Sequence, residues 1–132
     1  MILESSIQIP FSYAAGDVGS RYLIALRDDM QLLASRCAAC ERVACPPRSF
    51  CTACAEKTSE LVGVGPEGRL ISWTDRPGRG LFGLIILDGA TTAMLHRLDI
   101  PAEMLGVDLR VRARFAEERS ASPGDLEGFE LV

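Results

Sequence analysis

From position 59 onward the apolar residues of this chain fall into short runs and alternations broken by turn residues, a pattern that specifies strands. Five strands are predicted there. The first covers Glu60 to Asp75, bent at Gly63, Gly65 and Gly68, and the second covers Leu81 to Leu87. Asp88-Gly89 predicts a two-residue hairpin turn into a third strand, Ala90 to Arg97. One helical turn follows over Ile100 to Leu105, with Pro101 near its start. A fourth strand spans Leu109 to Ala116, a loop runs from Glu117 to Gly124, and a last strand spans Leu126 to Leu131. Three strands, a helical turn and two more strands is the order of a five-stranded OB-fold barrel, with a small sandwich as the competing all-β arrangement.

The pattern before position 59 is different. Residues 1–19 carry scattered apolar side chains (Ile7, Ile9, Phe11, Tyr13) among the breakers Pro10, Gly16 and Gly19, and read as an extended arm lying on something. Ser20 is placed to cap a short helix from Arg21 to about Asp29, with Tyr22, Leu23 and Leu26 along one stripe and Ile24 and Ala25 beside it. Arg36 to Lys57 contain only Val43 and Phe50 as large apolar residues, too few for a core of their own. The chain therefore divides into an arm and helix over 1–35, a small module over 36–58 and a barrel over 59–132, an all-β fold with one N-terminal helix.

Chemistry supplies what the middle segment lacks. Cys37-Ala-Ala-Cys40 and Cys51-Thr-Ala-Cys54 are two C-x-x-C pairs with ten residues between them. Each spacing lets one tight turn aim two sulfurs at a single ion, and two such turns complete the tetrahedral four-thiolate set of a structural zinc ribbon. Such a site has no open coordination position, so its role is structural, and metal binding of this kind contributes roughly 10–16 kcal/mol to folding. Two other readings of the same residues are reduced, buried cysteines and an iron centre of a rubredoxin-like electron carrier. Cys45 lies outside both pairs and reads as a small apolar residue or a spare thiol.

Composition narrows the partners. The chain has 132 residues, 48% of them hydrophobic and 24% charged, enough for one globular domain or a domain with a small module. Its 18 acidic and 14 basic residues give a net charge of −4, and its eight aromatics offer few stacking platforms, so both features disfavour nucleic-acid binding. Residues 1–15 hold Glu4, no basic run and no unbroken apolar stretch, so export is not expected. No apolar run reaches the roughly 20 residues of a bilayer span, and the clustered cysteines fit a reducing cytoplasm.

With helix, strand, Arg36-Cys37-x-x-Cys40, Pro46-Pro47-Arg48, Cys51-x-x-Cys54 and then a barrel containing Leu87-Asp88-Gly89, the chain resembles the zinc-ribbon OB-fold proteins long catalogued as a domain of unknown function. The resemblance runs from about Arg21 to the C-terminus. It implies a rubredoxin-like zinc ribbon followed by an OB-fold, with structural Zn2+ on Cys37, Cys40, Cys51 and Cys54. It also implies a small, non-catalytic subunit in a hetero-oligomer with a thiolase, a thiolase-like aldolase or an acyl-CoA hydratase, whose substrate is a coenzyme A thioester. Two positions depart from the family pattern: Glu41 stands where a glycine often follows the first knuckle, and Thr52 stands where a proline is common in the second.

The chain carries little catalytic equipment of its own. His96 is its one histidine, and its sequence position suits a packed strand residue. There is no phosphate-binding glycine loop and no G-x-S-x-G elbow. Arg110, Arg112 and Arg114 alternate with apolar residues, which puts three guanidinium groups about 7 Å apart on one face of a strand. Arg76 and Arg79 sit in the turn Arg76-Pro-Gly-Arg-Gly80 between the first two strands. All five are candidates for contacts to coenzyme A phosphates or to an acidic partner surface, against the alternative of a solvated, carboxylate-paired face for the row.

Overall fold

A computed structural model of the protein describes residues 1–58 and 60–132; Ser59, where the barrel segment is expected to begin, lies outside the described residues. The chain folds as one helix, α1 (Gly16–Asp29), and eight strands among the described residues: β1 (Leu32–Arg36), β2 (Val43–Ala44), β3 (Glu60–Val64), β4 (Glu67–Arg76), β5 (Gly80–Leu87), β6 (Ala93–Asp99), β7 (Arg110–Phe115) and β8 (Leu126–Leu131). Strands β2-β1-β3 form a three-stranded antiparallel sheet, and β4-β5-β6-β8-β7 close into a barrel with β7 paired back onto β4. The one parallel contact, β6 with β8, follows from the crossover through the 3-10 turn Ala102–Met104 and β7. This is the five-stranded order expected of an OB-fold, and the sandwich alternative is set aside by closure.

The continuous strand expected over Glu60 to Asp75 is two strands in two sheets. Glu60–Val64 pairs antiparallel with β1, from Arg36↔Glu60 to Leu32↔Val64, and only from Glu67 does the chain enter the barrel. Gly65, in the left-handed region at φ 65°, makes the break. A glycine is also demanded at position 68, where a Cβ would lie 2.5 Å from the Ile86 carbonyl oxygen on β5.

Two further elements differ from their expected bounds. The helix begins at Gly16, not Arg21, so Ser20 lies a turn inside it and Ala15 precedes it without a side-chain cap; Asp17 in the first turn suits the helix dipole. At the other end Met30 adopts the left-handed conformation, and Arg119 Nε donates to the Arg27 carbonyl at 2.9 Å, occupying an acceptor the helix leaves open. The hairpin after β5 is wider than two residues, because β6 starts at Ala93. The Ala90 N–H still closes the Asp88-Gly89 turn on Leu87, but Thr91 and Thr92 are diverted to β2: the Val43 N–H donates to Thr91 Oγ1 at 2.9 Å and the Cys45 N–H to Thr92 Oγ1 at 3.2 Å.

One core serves both sheets. Leu26 from α1, Leu32 and Ala34 from β1, Cys45 and Val64 join Leu70, Ile85, Leu87, Met94, Leu98, Val111 and Phe129 of the barrel in a single buried cluster. Of the helix stripe, Leu26 is fully buried and Tyr22 and Leu23 pack partly against this cluster, while Ile24 is exposed. Of the segment expected as an extended arm, residues 16–19 belong to α1; before it Met1, Ile2, Leu3, Ile7, Ile9, Phe11 and Tyr13 are exposed, and Tyr13, Ala14 and Ala15 border a cavity with Cys45, Pro46, Leu95 and His96.

The loop before β8 is held by a buried carboxylate. Asp125 accepts the N–H groups of Ser120, Ala121 and Ser122 at 3.0, 2.8 and 3.3 Å, and the Ser122 hydroxyl. Burial alone would raise its pKa, but these donors outweigh it and hold the carboxyl below the usual carboxylate range. The carboxylate therefore stabilises the fold at pH above about 4, and this contribution is lost as the pH falls through the lower, folded-state value. Asp125→Asn is expected to be less stable than the native chain at neutral pH. It is also expected to lose less of its urea midpoint between about pH 5 and pH 2, because the titrating group is gone.

Candidate metal centre and arginine faces

Two turns with the same hydrogen-bond pattern build the metal centre. The Glu41 N–H donates to the Cys37 carbonyl at 2.8 Å and the Ala55 N–H to the Cys51 carbonyl at 2.9 Å. The chain is returned from each turn by the Cys37 N–H on Arg42 O and the Cys51 N–H on Glu56 O. To close these turns Glu41 and Ala55 adopt left-handed backbone at φ 59° and 63°, a conformation that costs a residue with a Cβ about 1–2 kcal/mol. The Ser35 hydroxyl, on buried β1, accepts the Arg48 N–H at 2.9 Å and fixes the strand-to-knuckle spacing.

These turns converge four sulfurs. The ligand atoms of Cys37, Cys40, Cys51 and Cys54 lie within 4.8 Å of one another, with 3.5 Å from Cys37 to Cys54, 3.5 Å from Cys40 to Cys51 and 4.0 Å from Cys40 to Cys54. A tetrahedron with zinc–sulfur bonds of about 2.3 Å has edges of about 3.8 Å, so the donor set fits that ion without rearrangement. Backbone N–H groups of Cys54 and Ala53 lower the Cys51 thiol to about 6, while hydrogen bonds with neighbouring sulfurs raise Cys40 and Cys54, so Cys51 is the thiol that ionises first. Cys45 is not part of the cluster. It is buried in the shared core, and desolvation pushes its thiol up to about 12, so it is an inert apolar residue rather than a nucleophile. His96 packs edge-on against Phe129 at 5.7 Å, and its burial lowers its pKa.

The candidate arginines separate into paired and unpaired groups. Arg110 forks onto Asp88 at 2.9 and 2.6 Å and reaches Glu67 at 3.2 Å, and its hydrogen bond holds the Asp88 carboxyl below its ordinary range. Arg114 binds Asp99 and Glu127 and approaches Glu130 at 3.9 Å. Arg112, between them, is exposed and has no carboxylate partner among the described residues. At the other end of the barrel the Arg76 guanidinium lies 5.4 Å above the Phe82 ring, and Arg79 closes the β4–β5 turn with its N–H on the Arg76 carbonyl.

Several residues that organise these sites escaped the sequence reading. Thr91 and Thr92 were masked by the stronger turn signal of Asp88-Gly89 just before them. The Ser122-x-x-Asp125 spacing is a capping signature that marks the 3-10 turn Pro123–Asp125 ahead of β8.

A closed four-thiolate site in a small three-stranded sheet, joined to a five-stranded closed barrel, defines a metal-binding ribbon on an OB-type fold. Residues 26–60 match the family described as ChsH2, rubredoxin-like zinc ribbon domain. Over nearly the whole chain the fold is similar to that of a protein of unknown function from the DUF35 family of Sulfolobus solfataricus, with a TM-score of 0.66 and 20% identity, covering 89% of this chain and 85% of that one. It is also similar to a chain of the Ltp2-ChsH2(DUF35) aldolase, with a TM-score of 0.60 and 20% identity, covering 86% of this chain and 93% of that one. A search of curated proteins gives no match. The ribbon match and the four converging cysteines support structural zinc in this site, and the two solved structures share the fold. No helix is long and apolar enough to cross a membrane.

The purified chain is expected to carry one zinc ion, measured by atomic emission, and to lose it to a strong chelator with a fall in melting temperature of roughly 10 °C or more. Cys51→Ser is expected to reproduce that loss. Glu41→Gly, which frees the left-handed position from its Cβ, is expected to raise stability by about 1 kcal/mol in denaturant unfolding with metal content unchanged.

Proposed function

We propose that the protein is a non-catalytic accessory subunit of a thiolase-like acyl-CoA enzyme. In this reading α1 and the ribbon dock the catalytic subunit, and the barrel helps to enclose the coenzyme A thioester. The observation that carries the reading is the arm: seven large apolar side chains within the first 13 residues stand exposed immediately before α1. An apolar segment of this extent is out of place on a solitary soluble domain and fits a surface covered in a complex. The ChsH2-type ribbon and the similarity to a chain of an aldolase complex support a catalytic partner.

The chain's own groups fit the non-catalytic role. A nucleophile must be within reach of a base and ionisable near neutral pH. Cys45 is buried with a thiol pKa near 12, and the four remaining cysteines form the metal site. His96 is packed against Phe129 with no hydrogen-bond partner for its buried Nδ1. The function left to this surface is to bind, cover and orient. The docking role of the ribbon also explains why its stability rests on a metal: a small surface that must hold its shape against a partner lacks the apolar residues to do so alone.

The chain purified alone is expected to show no thiolase, aldolase or hydratase activity. Expressed with affinity tags at native level, it is expected to retain a larger acyl-CoA enzyme, and deletion of residues 1–13 is expected to abolish that retention while leaving zinc content unchanged. Turnover of a coenzyme A thioester by the isolated chain would overturn the reading.

A further inference from the structure

The first 13 residues carry a finer pattern than their apolar content. Ile7, Ile9, Phe11 and Tyr13 alternate with Gln8, Pro10 and Ser12, a strict period of two over the segment 7–13. In an extended chain that period puts the four large side chains on one face and the other three on the opposite face, over a length of about 23 Å. The structure keeps this arrangement. The Phe11 and Tyr13 rings lie 6.4 Å apart, close to the roughly 6.6 Å between same-face neighbours of a strand, and Gly16, at φ 74°, is the first left-handed residue, where the arm turns into α1.

Alternation also sorts the backbone. Successive residues of a strand direct their N–H and C=O groups to opposite edges, so Ile7, Ile9, Phe11 and Tyr13 share one edge, and Gln8, Pro10 and Ser12 share the other. Pro10 has no N–H, which leaves the second edge without its central donor and the first edge complete. Such a segment pairs on one side only, as the outermost strand of a sheet. Pro10 also biases Ile9 away from helical backbone, which disfavours a helix through the segment.

Among the described residues the chain itself offers no matching edge. The barrel is closed, and the outer edge of β2 is two residues long and already bonded to Thr91, through the Val43 N–H on Thr91 Oγ1 and the Thr91 N–H on the Val43 carbonyl. The outer edge of β3, Glu60–Val64, is shorter than the segment 7–13. A second copy of the chain offers the same edges. Charge does not select the acceptor, since Glu4 is the one charged side chain before Asp17. The arm leaves the molecule beside the ribbon: Tyr13, Ala14 and Ala15 border a cavity that Pro46, Pro47 and Arg48 also line, on the side that docks the catalytic subunit in the accessory-subunit reading.

We infer that residues 7–13 add as an edge strand to a sheet of the catalytic subunit, through the N–H and C=O groups of Ile7, Ile9, Phe11 and Tyr13, with those four side chains packed on the apolar layer beneath that sheet. Main-chain pairing supplies affinity in this mode and alternate side chains supply specificity. The inference rests on the accessory-subunit reading for the existence of the partner and adds the way it is held. Pro10 lies on the edge turned to solvent, where the missing donor discourages a further strand, so the apolar arm stands exposed without templating aggregation.

The probe is the acyl-CoA enzyme that the tagged full chain retains at native expression level, identified by mass spectrometry and purified. Amide hydrogen exchange, resolved to single residues, is read on the zinc-loaded chain with and without it. On binding, the amides of Ile7, Ile9, Phe11 and Tyr13 are expected to slow by roughly a hundredfold or more, and those of Gln8 and Ser12 far less. Ile9→Pro, which removes a paired donor, is expected to weaken binding at least about tenfold more than Ile9→Ala does, and Ser12→Pro, on the open edge, to stay within about twofold of the native chain. Ile9 and Ser12 are exposed in the free chain, so melting temperature and zinc content are expected to be unchanged in all three variants. Uniform protection along residues 7–13, or Ser12→Pro as harmful as Ile9→Pro, would overturn the inference and leave the accessory-subunit reading intact. A dimer of the chain alone that Ile9→Pro dissolves would overturn it in favour of a second copy. No enzyme retained by the native chain would overturn the accessory-subunit reading, and this inference with it.

Discussion

Everything between Arg36 and Lys57 depends on four sulfur atoms meeting at one point. That stretch gives only Cys45, with Val43 beside it, to the shared core; its other ties are the short pairing with β1, the Phe50–Lys57 bridge and hydrogen bonds to Ser35, Thr91 and Thr92. The sulfurs are aimed by two turns that each hold a residue in left-handed backbone, and the chain tolerates this at Glu41 and Ala55 without glycine. Strain of about 1–2 kcal/mol at each is small beside roughly 10–16 kcal/mol from a bound zinc, so the metal decides the local conformation and the backbone conforms. A residue with a Cβ is therefore accommodated after each knuckle while the four ligands are kept.

The sequence was most legible where one physical cause acted alone. Paired cysteines state their own geometry, and the strands of the barrel follow from alternation: β8 was placed at its observed ends, and β5 and β7 to within a residue at each end. It was least legible where local and distant causes competed. The run from Glu60 to Asp75 has strand character throughout, and nothing local says that its first five residues belong to a different sheet; that is decided by β1, more than twenty residues earlier. Asp88-Gly89 makes the turn its chemistry demands, but the next two residues are claimed by the backbone of β2 rather than by β6. Helix α1 begins a turn before the serine expected to cap it, and within that added turn Val18 and Gly19 are half-buried, a tertiary contact that a capping signal alone does not reveal.

The charge pattern shows the same division. Period-two spacing correctly put Arg110, Arg112 and Arg114 on one face, but spacing is silent about what stands opposite. Asp88 and Glu67 come from other parts of the barrel to meet Arg110, and Asp99 and Glu127 do the same for Arg114. Arg97 offered no pattern at all, and only the register of β6 against β5 brings it beside Phe82.

Gly65 and Pro66 alone separate β3 from β4, and the Gly65 N–H is itself tied to Asp88 across the junction. Thr91 and Thr92, in the β5–β6 connection, add a second strap to Val43 and Cys45, and a common core fills the space beneath. Ribbon and barrel are therefore joined by two straps and a common core rather than by a free linker, so a load applied at the knuckles passes into the barrel through packed side chains as well as along the chain.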